Sequence, residues 1–344
     1  MQKGLQSRFI VHKILIELKS KKISFDHVYN SLTSDIKLKL SDKKLIYTVV
    51  LGSMRNYFKV NKIIQNYTKK MNKNSDQYYL LLSGITQLIF LQFKDYAVIN
   101  STVEIAKNKK INAKPSFING VLRNVLRNKK KLLEIKIEYN DLPKWFLKKT
   151  KNINKNEKLN FLKTIEYRPD LHLVFKQKKD LEYFNKNVTQ TSNNSIALHY
   201  SGSIENLPNY ELGNWWVQDF SAMLPLYLTN KIKDKKVVDM CAAPGGKTFQ
   251  IIEKKGDLVS YEISSQRAEI MNKNLKRLKY NISLNVKDSL KINNQNKFDI
   301  VLIDAPCSSV GTIRRNPEIF FRSKGPAMNS ILLYQAKFLE KAKK

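Results

Sequence analysis

The chain contains few residues that could cross-link it or hold a metal. Among its 344 residues are two cysteines, Cys241 and Cys307, and four scattered histidines. Two cysteines cannot build a disulfide framework, and no Cys or His pair has the spacing of a zinc site. A disulfide-rich secreted domain and a structural zinc domain are therefore excluded. We expect no metal, and both cysteines suit a reducing compartment.

Long apolar segments are also missing. The opening residues "MQKGLQSRFI" contain no apolar core of a signal peptide. The longest apolar stretch, "LLLSGITQLIFL" at residues 80–91, is too short and too interrupted to cross a bilayer. We therefore expect a cytoplasmic protein without a membrane partner, and we also expect it to be a monomer.

Acidic residues are scarce relative to basic ones. The chain has 62 Lys and Arg against 29 Asp and Glu, a formal net charge of +33 and a pI near 9.9. Residues 1–140 contribute 27 basic and 9 acidic residues, a net of +18. A positive charge of this size favours binding to a polyanion, most plainly to a nucleic acid. The alternative is that the positive charge reflects overall composition and no particular partner, because a chain rich in Lys, Asn and Ile can carry Lys at ordinary surface positions.

The segment 1–135 is predicted to be helical. No proline occurs before Pro115, and apolar residues recur at intervals of three and four, as in the stripe Ile46, Val49, Val50, Met54, Tyr57 and Phe58. In "FINGVLRNVLRNKKK", Arg123 and Arg127 lie four residues apart on one face. A compact helical domain with a basic, RNA-binding face is predicted. A helical interaction domain with a merely solvated surface is the alternative.

A serine and a glutamate mark a predicted helix start in this region. Ser101 is followed three residues later by Glu104 in "INSTVEIAK", the spacing of a capping box. The pattern predicts that a helix begins at Ser101.

The remainder of the chain changes character twice. Residues 141–205 mix a strand-like segment, "YRPDLHLVFKQ", with polar turns, and predict a small α/β connecting module. From residue 206 onward, short apolar runs alternate with helical stretches: "KKVVDMC", "GDLVSYE", "SLNVKD" and "KFDIVLIDAP". This alternation predicts a parallel, doubly wound sheet that binds ligands at the carboxyl ends of its strands.

A Gly-Gly turn follows the first of these strands, in "DMCAAPGGKT" at residues 239–248. A Walker A loop would need glycine at position 241, where the chain has Cys241, and Pro244 stiffens the turn. A phosphate loop is therefore disfavoured. Gly245 and Gly246 allow a close backbone approach, and the next helix start offers unpaired N–H groups that suit a carboxylate.

Acidic residues end the next two strands. Glu262 can accept hydrogen bonds from both hydroxyls of a ribose, and Asp288 is placed near an adenine amino group. A Gly turn after one strand and acids after the next two describe a pocket for an adenosyl amino acid. S-adenosylmethionine is the predicted ligand.

The fourth strand ends in "DAPCSSVGT", which places Asp304 and Cys307 at the rim of the same pocket. A thiolate there can add to C6 of a cytosine and make C5 nucleophilic enough to accept a methyl group. A carboxylate such as that of Asp304 can hold the pyrimidine edge while charge builds. The alternative is an inert thiol, which the surrounding Pro, Ser and Gly residues disfavour.

These motifs resemble a known family. "VVDMCAAPGGKT", "DAPCSSVGTIRRNPEI" and "WWVQDFSAML" look like the RsmB/Sun family of ribosomal RNA cytosine-5 methyltransferases. "AVINSTVEIAK" and "FINGVLRNVLR" are similar to the NusB-like RNA-binding domain of that family. The resemblance implies an all-α NusB-like domain at 1–135, the small α/β module at 141–205, and a Rossmann-like S-adenosylmethionine-dependent methyltransferase domain at 206–344.

The resemblance also implies roles for individual residues. Glu262 stands where the family usually has a ribose-binding Asp, Asp288 matches the acid near the adenine, and Asp304 lies close to both donor and target base. Seven residues would line the methionine end of the cofactor: Cys241, Ala242, Ala243, Pro244, Gly245, Gly246 and Lys247. The implied partner is small-subunit ribosomal RNA.

One departure concerns the attacking thiol. In the family, the cysteine of the Asp-Ala-Pro-Cys motif helps to release the product, and the nucleophile lies in a later Thr-Cys-Ser motif. No such motif occurs in the 344 residues. Cys307 therefore matches the release cysteine, and we expect a catalytic domain incomplete at its C-terminus, with little turnover. The alternatives are a non-catalytic RNA-binding or assembly protein, and a methyltransferase acting on tRNA or DNA.

Overall fold

A computed structural model describes residues 4–343, except residues 22, 69, 185–186, 201, 230 and 293–296. The described residues form two compact units. The helical unit comprises residues 1–168 and 309–326, and the α/β unit comprises residues 169–308 and 327–344.

The helical unit begins with ten α-helices. Their bounds are α1 Leu5–Ser20, α2 Phe25–Thr33, α3 Leu40–Arg55, α4 Tyr57–Tyr67, α5 Asp76–Ile85, α6 Asp95–Ala106, α7 Pro115–Arg127, α8 Lys129–Leu133, α9 Lys144–Lys149 and α10 Lys155–Glu166. A π-helical turn, Thr86–Phe90, extends α5. The predicted stripe on α3 and α4 is buried throughout, in a core that unites these helices.

Local sequence explains several helix starts. The hydroxyl oxygens of Ser24 and Ser75 accept hydrogen bonds from backbone N–H groups of α2 and α5. Asn154 and Glu157 form a reciprocal capping box at α10. Pro115 stands at the first position of α7, where its missing N–H costs nothing.

The capping box predicted at Ser101 is wrong. Helix α6 begins earlier, at Asp95, so Ser101 lies inside it. Its hydroxyl donates to the Ala97 carbonyl oxygen over 2.6 Å. A serine within a helix donates its proton to the preceding turn in this way, so the same Ser-x-x-Glu spacing occurs without a helix start.

A later segment of the chain completes the helical core. Residues 309–326 contain the short helix α14, Glu318–Phe321, whose Phe320 and Phe321 are buried. Phe320 packs edge-on against Phe146 of α9 at 4.8 Å between ring centroids. Phe321 packs edge-on against Tyr57 at 5.1 Å. This segment is therefore part of the helical unit, although it follows the fourth parallel strand in sequence.

The α/β unit opens with a four-stranded antiparallel sheet. Its strands are β1 Leu171–Phe175, β2 Val188–Ser192, β3 Ser195–Leu198 and β4 Trp215–Val217, in the order β2-β3-β1-β4. Strand β1 is the strand predicted in "YRPDLHLVFKQ". Phe175 and Trp215 are fully buried on the face that forms this sheet's core.

A parallel sheet follows, as predicted. Its elements are α11 Phe220–Leu228, β5 Lys236–Asp239, α12 Gly246–Glu253, β6 Asp257–Tyr261, α13 Ser265–Arg277, β7 Leu284–Asn285 and β8 Ile300–Leu302. The strand order is β7-β6-β5-β8, with every pair parallel. The carboxyl ends of the four predicted strands therefore meet along one edge.

Two further features complete this unit. Helix α15, Met328–Ala342, places Tyr334 and Phe338 against the cluster formed around Val238. Arg277 of α13 donates to the carbonyl oxygens of Tyr210 (2.9 Å) and Trp215 (3.0 Å), which joins the parallel sheet to the antiparallel one.

The two units divide the chain differently from the predicted three parts. Helices α9 and α10, assigned by sequence to the connecting module, contribute Phe146 and Phe161 to the helical unit, where their rings stack at 5.1 Å. Residues 309–326, assigned to the methyltransferase domain, also belong there. In both places aromatic side chains reach a core distant in sequence. A helical region followed by an α/β parallel-sheet fold is nevertheless confirmed.

Candidate cofactor site

The Gly-Gly turn lies at the carboxyl end of β5, as predicted. Gly245 has φ +110°, a left-handed conformation that a side chain would strain. A Cβ at Gly245 would also lie 2.2 Å from the Phe249 ring, and one at Gly246 would lie 3.2 Å from the Gln218 side chain. Packing within the protein thus favours glycine at both positions. The close approach of the backbone to a ligand, which was predicted, would be a second reason.

The other residues of the turn differ in exposure. Ala242 and Ala243 are buried, while Pro244 is exposed and Cys241 and Lys247 are half-buried. The Ala242 N–H donates to the Tyr261 carbonyl oxygen over 2.9 Å, which holds the turn against the end of β6.

A buried carboxylate that the sequence analysis did not single out supports this turn. Asp239 is 1% exposed and accepts hydrogen bonds from the Thr248 hydroxyl (2.8 Å) and the Cys241 N–H (3.3 Å). Burial raises the pKa of Asp239 to about 6, against the opposing effect of these two hydrogen bonds. Like Glu262 and Asp304, it is an acid at a strand end, which is the signal that could have found it.

This raised pKa predicts a pH-dependent stability. The folded protein holds the Asp239 proton more tightly than the unfolded chain does. Protonated Asp239 therefore adds to the unfolding free energy below about pH 4, and this stabilisation is lost as the pH rises through about 6. Between these pH values the unfolding free energy of the parent protein should fall by about 1–3 kcal/mol because Asp239 ionises, and Asp239→Asn should not show this fall. Urea unfolding of both proteins from pH 4 to 7.5 measures the difference. Parallel profiles would show that Asp239 does not titrate in this window.

Glu262 lies at the carboxyl end of β6 and is 3% exposed. Its carboxylate accepts hydrogen bonds from the N–H groups of Ser264 (2.9 Å) and Ala243 (3.3 Å). Arg267 lies 3.5 Å from the same carboxylate and also donates to the Ala243 carbonyl oxygen. Glu262 therefore anchors the turn, and its carboxylate retains acceptor capacity for a further donor.

Asp288 lies after β7, where it caps a 3₁₀ turn by accepting a hydrogen bond from the Leu290 N–H over 3.1 Å. Tyr334 of α15 packs in the same cluster as Leu290. Burial raises the pKa of Tyr334, and the negative charges of Asp288 and Glu262 raise it further. Tyr334 therefore shares one electrostatic environment with the predicted cofactor residues. Its position depends on packing by a helix distant in sequence, so no sequence signal pointed to it.

Asp304 follows β8 and forms an ion pair with Lys247 over 2.7 Å. This contact joins the turn after β5 to the loop after β8. The Gln335 side-chain amide of α15 donates to the Pro306 carbonyl oxygen over 3.0 Å and so holds the loop that precedes Cys307. Cys307 is exposed on this loop.

The two cysteines are chemically unequal. Burial raises the pKa of the Cys241 thiol to about 12, and the carboxylates of Asp239, Glu262 and Asp304 contribute in the same direction. Because the thiolate is the nucleophile, Cys241 is unsuited to attack a base at neutral pH.

This difference predicts selective alkylation. Because the pKa of the half-buried Cys241 thiol is raised to about 12, we expect iodoacetamide at pH 8 to modify the exposed Cys307 and to leave Cys241 intact. Peptide mass spectrometry measures both sites, and Cys241→Ser should take up the same amount of label as the parent protein. Comparable labelling of the two cysteines would contradict this description of the pocket.

The predicted RNA-binding arginines lie on the helical unit. Arg123 and Arg127 are exposed on α7, as the helical spacing predicts. Arg123 donates to the Asn119 side-chain oxygen over 3.1 Å, and Arg127 donates to the Asn124 side-chain oxygen over 3.3 Å. Both guanidinium groups remain available to phosphates.

Among the described residues, no group of three or more His, Cys, Asp or Glu could hold a metal ion. In the same part of the chain, no helix is long and apolar enough to cross a membrane.

Two family profiles match the chain. Residues 226–344 match "16S rRNA methyltransferase RsmB/F", and residues 5–127 match the NusB family. The chain is 28% identical over 361 residues to ribosomal RNA small subunit methyltransferase B of Yersinia pestis bv. Antiqua (strain Angola), covering 99% of this chain and 83% of the relative. The protein of that name from Yersinia pseudotuberculosis serotype O:1b (strain IP 31758) matches to the same extent.

A solved structure supports the fold. The crystal structure of PH0851 matches 100% of this chain and 83% of its own, with a TM-score of 0.69 at 18% identity. A parallel sheet with strand-end acids and a Gly turn, accompanied by a NusB-like helical region, defines a methyltransferase of the RNA-modifying class. Together the two matches give the combination that the RsmB/Sun resemblance implies, a NusB-like region followed by a region similar to the RsmB/F ribosomal RNA methyltransferases.

Proposed function

We propose that this protein methylates C5 of a cytosine in small-subunit ribosomal RNA, with S-adenosylmethionine as the methyl donor. The observation that carries the proposal is the convergence at one sheet edge of the turn at 241–247, the acids that follow β6, β7 and β8, and Cys307. The family and the names of the Yersinia relatives support the RNA substrate.

The residues at this edge fit the cofactor. The turn at 241–247 and the N-terminus of α12 would receive its amino-acid end. Glu262 would accept from the ribose hydroxyls with the acceptor capacity that Ala243 and Ser264 leave to it, and Asp288 would face the adenine. The bound cofactor supplies a sulfonium methyl group.

Two residues would act on the target base. Asp304, held by Lys247, would bind the pyrimidine edge while charge builds on the ring. A thiolate adds to C6, C5 accepts the methyl group and loses its proton to a base, and the thiolate leaves as the C5–C6 double bond reforms. Cys307 is the thiol at this edge whose exposure suits either the attack or the release of the product.

The helical unit would hold the RNA. Arg123 and Arg127 on α7 are exposed, and so are Lys130 and Lys131, which follow in α8, so cations face solvent at this end of the unit. Binding through such cations weakens steeply with salt as counterions are released. A ribosomal RNA substrate also leads us to expect the protein in the cytoplasm.

Methyl transfer from labelled S-adenosylmethionine tests this function. We expect weak labelling of 5-methylcytidine in unmodified small-subunit ribosomal RNA, because the Thr-Cys-Ser motif is absent from the 344 residues, and none in tRNA or DNA. Loss of transfer in Cys307→Ser assigns the attack to Cys307, whereas transfer retained in that variant would show that Cys307 is not the nucleophile. Methylation of another atom, or of tRNA or DNA alone, would overturn the proposal.

A further inference from the structure

A cavity of about 510 Å³ lies between α6 and α7 of the helical unit. This volume falls within the roughly 300–1,000 Å³ that is usual for small-ligand sites. None of its lining residues belongs to the proposed cofactor site; they are Asp95, Tyr96, Ile99, Asn100, Val103, Pro115, Ser116, Asn119, Arg123 and Leu126.

The apolar part of the lining suits a flat ring. Ile99 is 8% exposed, and with Val103 and Leu126 it gives the cavity an aliphatic surface. Tyr96 lines the same cavity but is 81% exposed, which is unusual for so large an aromatic residue. An exposed tyrosine beside an aliphatic surface provides a platform on which a nucleobase can stack.

The polar part of the lining suits the edge of a base. Asn100 and Asn119 each carry an amide with both donors and an acceptor, as base edges do. Asn119 accepts from Arg123 through its oxygen, and this bond does not use the two donors of its NH₂ group. The negative charge of Asp95 is opposed by Lys129 at 3.6 Å.

The charge around the cavity suits a phosphate backbone. Arg123 belongs to the lining itself, and Arg127 lies one turn further along α7. Lys94 and Lys114 stand immediately before α6 and α7, so basic residues flank both helices that form the cavity. A ligand that combines a flat ring with negative charge complements this surface.

We propose that this cavity binds one unpaired nucleotide of the RNA, with its base stacked on Tyr96, its edge hydrogen-bonded by Asn100 and Asn119, and its phosphate held by Arg123. The proposal rests on the RNA binding proposed above. A base within a duplex is paired and stacked on its neighbours, so it cannot enter the cavity. The helical unit therefore prefers RNA that presents an unpaired base.

Fluorescence anisotropy with the intact protein tests this preference. One probe is an RNA hairpin with an unpaired purine loop, and the other is a fully paired RNA duplex with the same number of phosphates. We expect Tyr96→Ala to weaken binding of the hairpin by about tenfold, since stacking on an aromatic ring contributes roughly this much per base. Duplex binding should not change, and Tyr96→Phe should retain the parent affinity for both.

Two controls separate stacking from other effects. Tyr183→Ala removes an exposed tyrosine of the α/β unit, 61% exposed, and should alter neither affinity. The salt dependence of hairpin binding should be the same for Tyr96→Ala and the parent protein, because no charge is removed. The Tyr96 side chain is exposed, so its truncation should leave the thermal unfolding midpoint unchanged.

The outcomes distinguish the nucleotide site from RNA binding by the helical unit in general. Equal losses for hairpin and duplex, or no loss for either, would overturn the nucleotide site while RNA binding stands. A parent protein that binds neither probe would overturn the RNA-binding proposal itself.

Discussion

Phe321→Ala is expected to lower the unfolding free energy of the helical unit by about 3–5 kcal/mol, the usual cost of truncating a fully buried phenylalanine. Phe321 is 0% exposed, and the Lys19 ammonium lies 5.0 Å from its ring centroid while donating to its carbonyl oxygen over 2.7 Å. The loss should be this large because the segment that contains Phe321 completes a core that helices α1 to α9 otherwise form.

Chemical denaturation followed by the helical circular dichroism signal measures this effect. Leu333→Ala is the matched control, since Leu333 lies on α15 of the other unit and is 69% exposed. Its substitution should change stability by less than about 0.5 kcal/mol. A loss below about 1 kcal/mol for Phe321→Ala would show that the segment does not contribute to the helical core.

The second large effect is expected at the cofactor site. Glu262→Ala should weaken S-adenosylmethionine binding by roughly 5- to 150-fold, because it leaves ribose hydroxyls unpaired in a buried site at a cost of about 1–3 kcal/mol. The substitution also removes the acceptor of the Ala243 and Ser264 N–H groups, which loosens the turn that receives the cofactor.

Calorimetric titration measures this affinity. Asp257→Ala is the control, because Asp257 is an exposed acid at the opposite end of the same strand, and its loss should leave the affinity unchanged. An unchanged affinity in Glu262→Ala would remove Glu262 from the cofactor site. A similar loss in both variants would indicate a general effect of charge.

Sequence predicted those parts of the structure that depend on short-range patterns. The four parallel strands were predicted because each apolar run ends in an acid or a Gly/Pro turn. The helical stripe from Ile46 to Phe58 was predicted because helical period alone places it on one face. The strand-end position of Glu262 and Asp304 followed from the same patterns.

Contacts between distant residues could not be predicted in this way. Tyr334 of α15 packs in one cluster with Val238 and Cys241, which lie far from it in sequence. Phe321 enters a core formed by helices near the start of the chain. The Ser101 prediction failed because the same residue spacing occurs within a helix. Asp239 was missed although its strand-end position resembles that of the predicted acids.

Hydrogen exchange measured with and without S-adenosylmethionine tests most directly the claim that the carboxyl edge of the parallel sheet is the cofactor site. Saturating cofactor should slow exchange at residues 240–248, 261–267, 285–291 and 303–307, because these backbone segments surround the proposed ligand. Exchange across residues 4–168 should not change. Protection confined to the helical unit, or no protection in these four segments, would contradict the account.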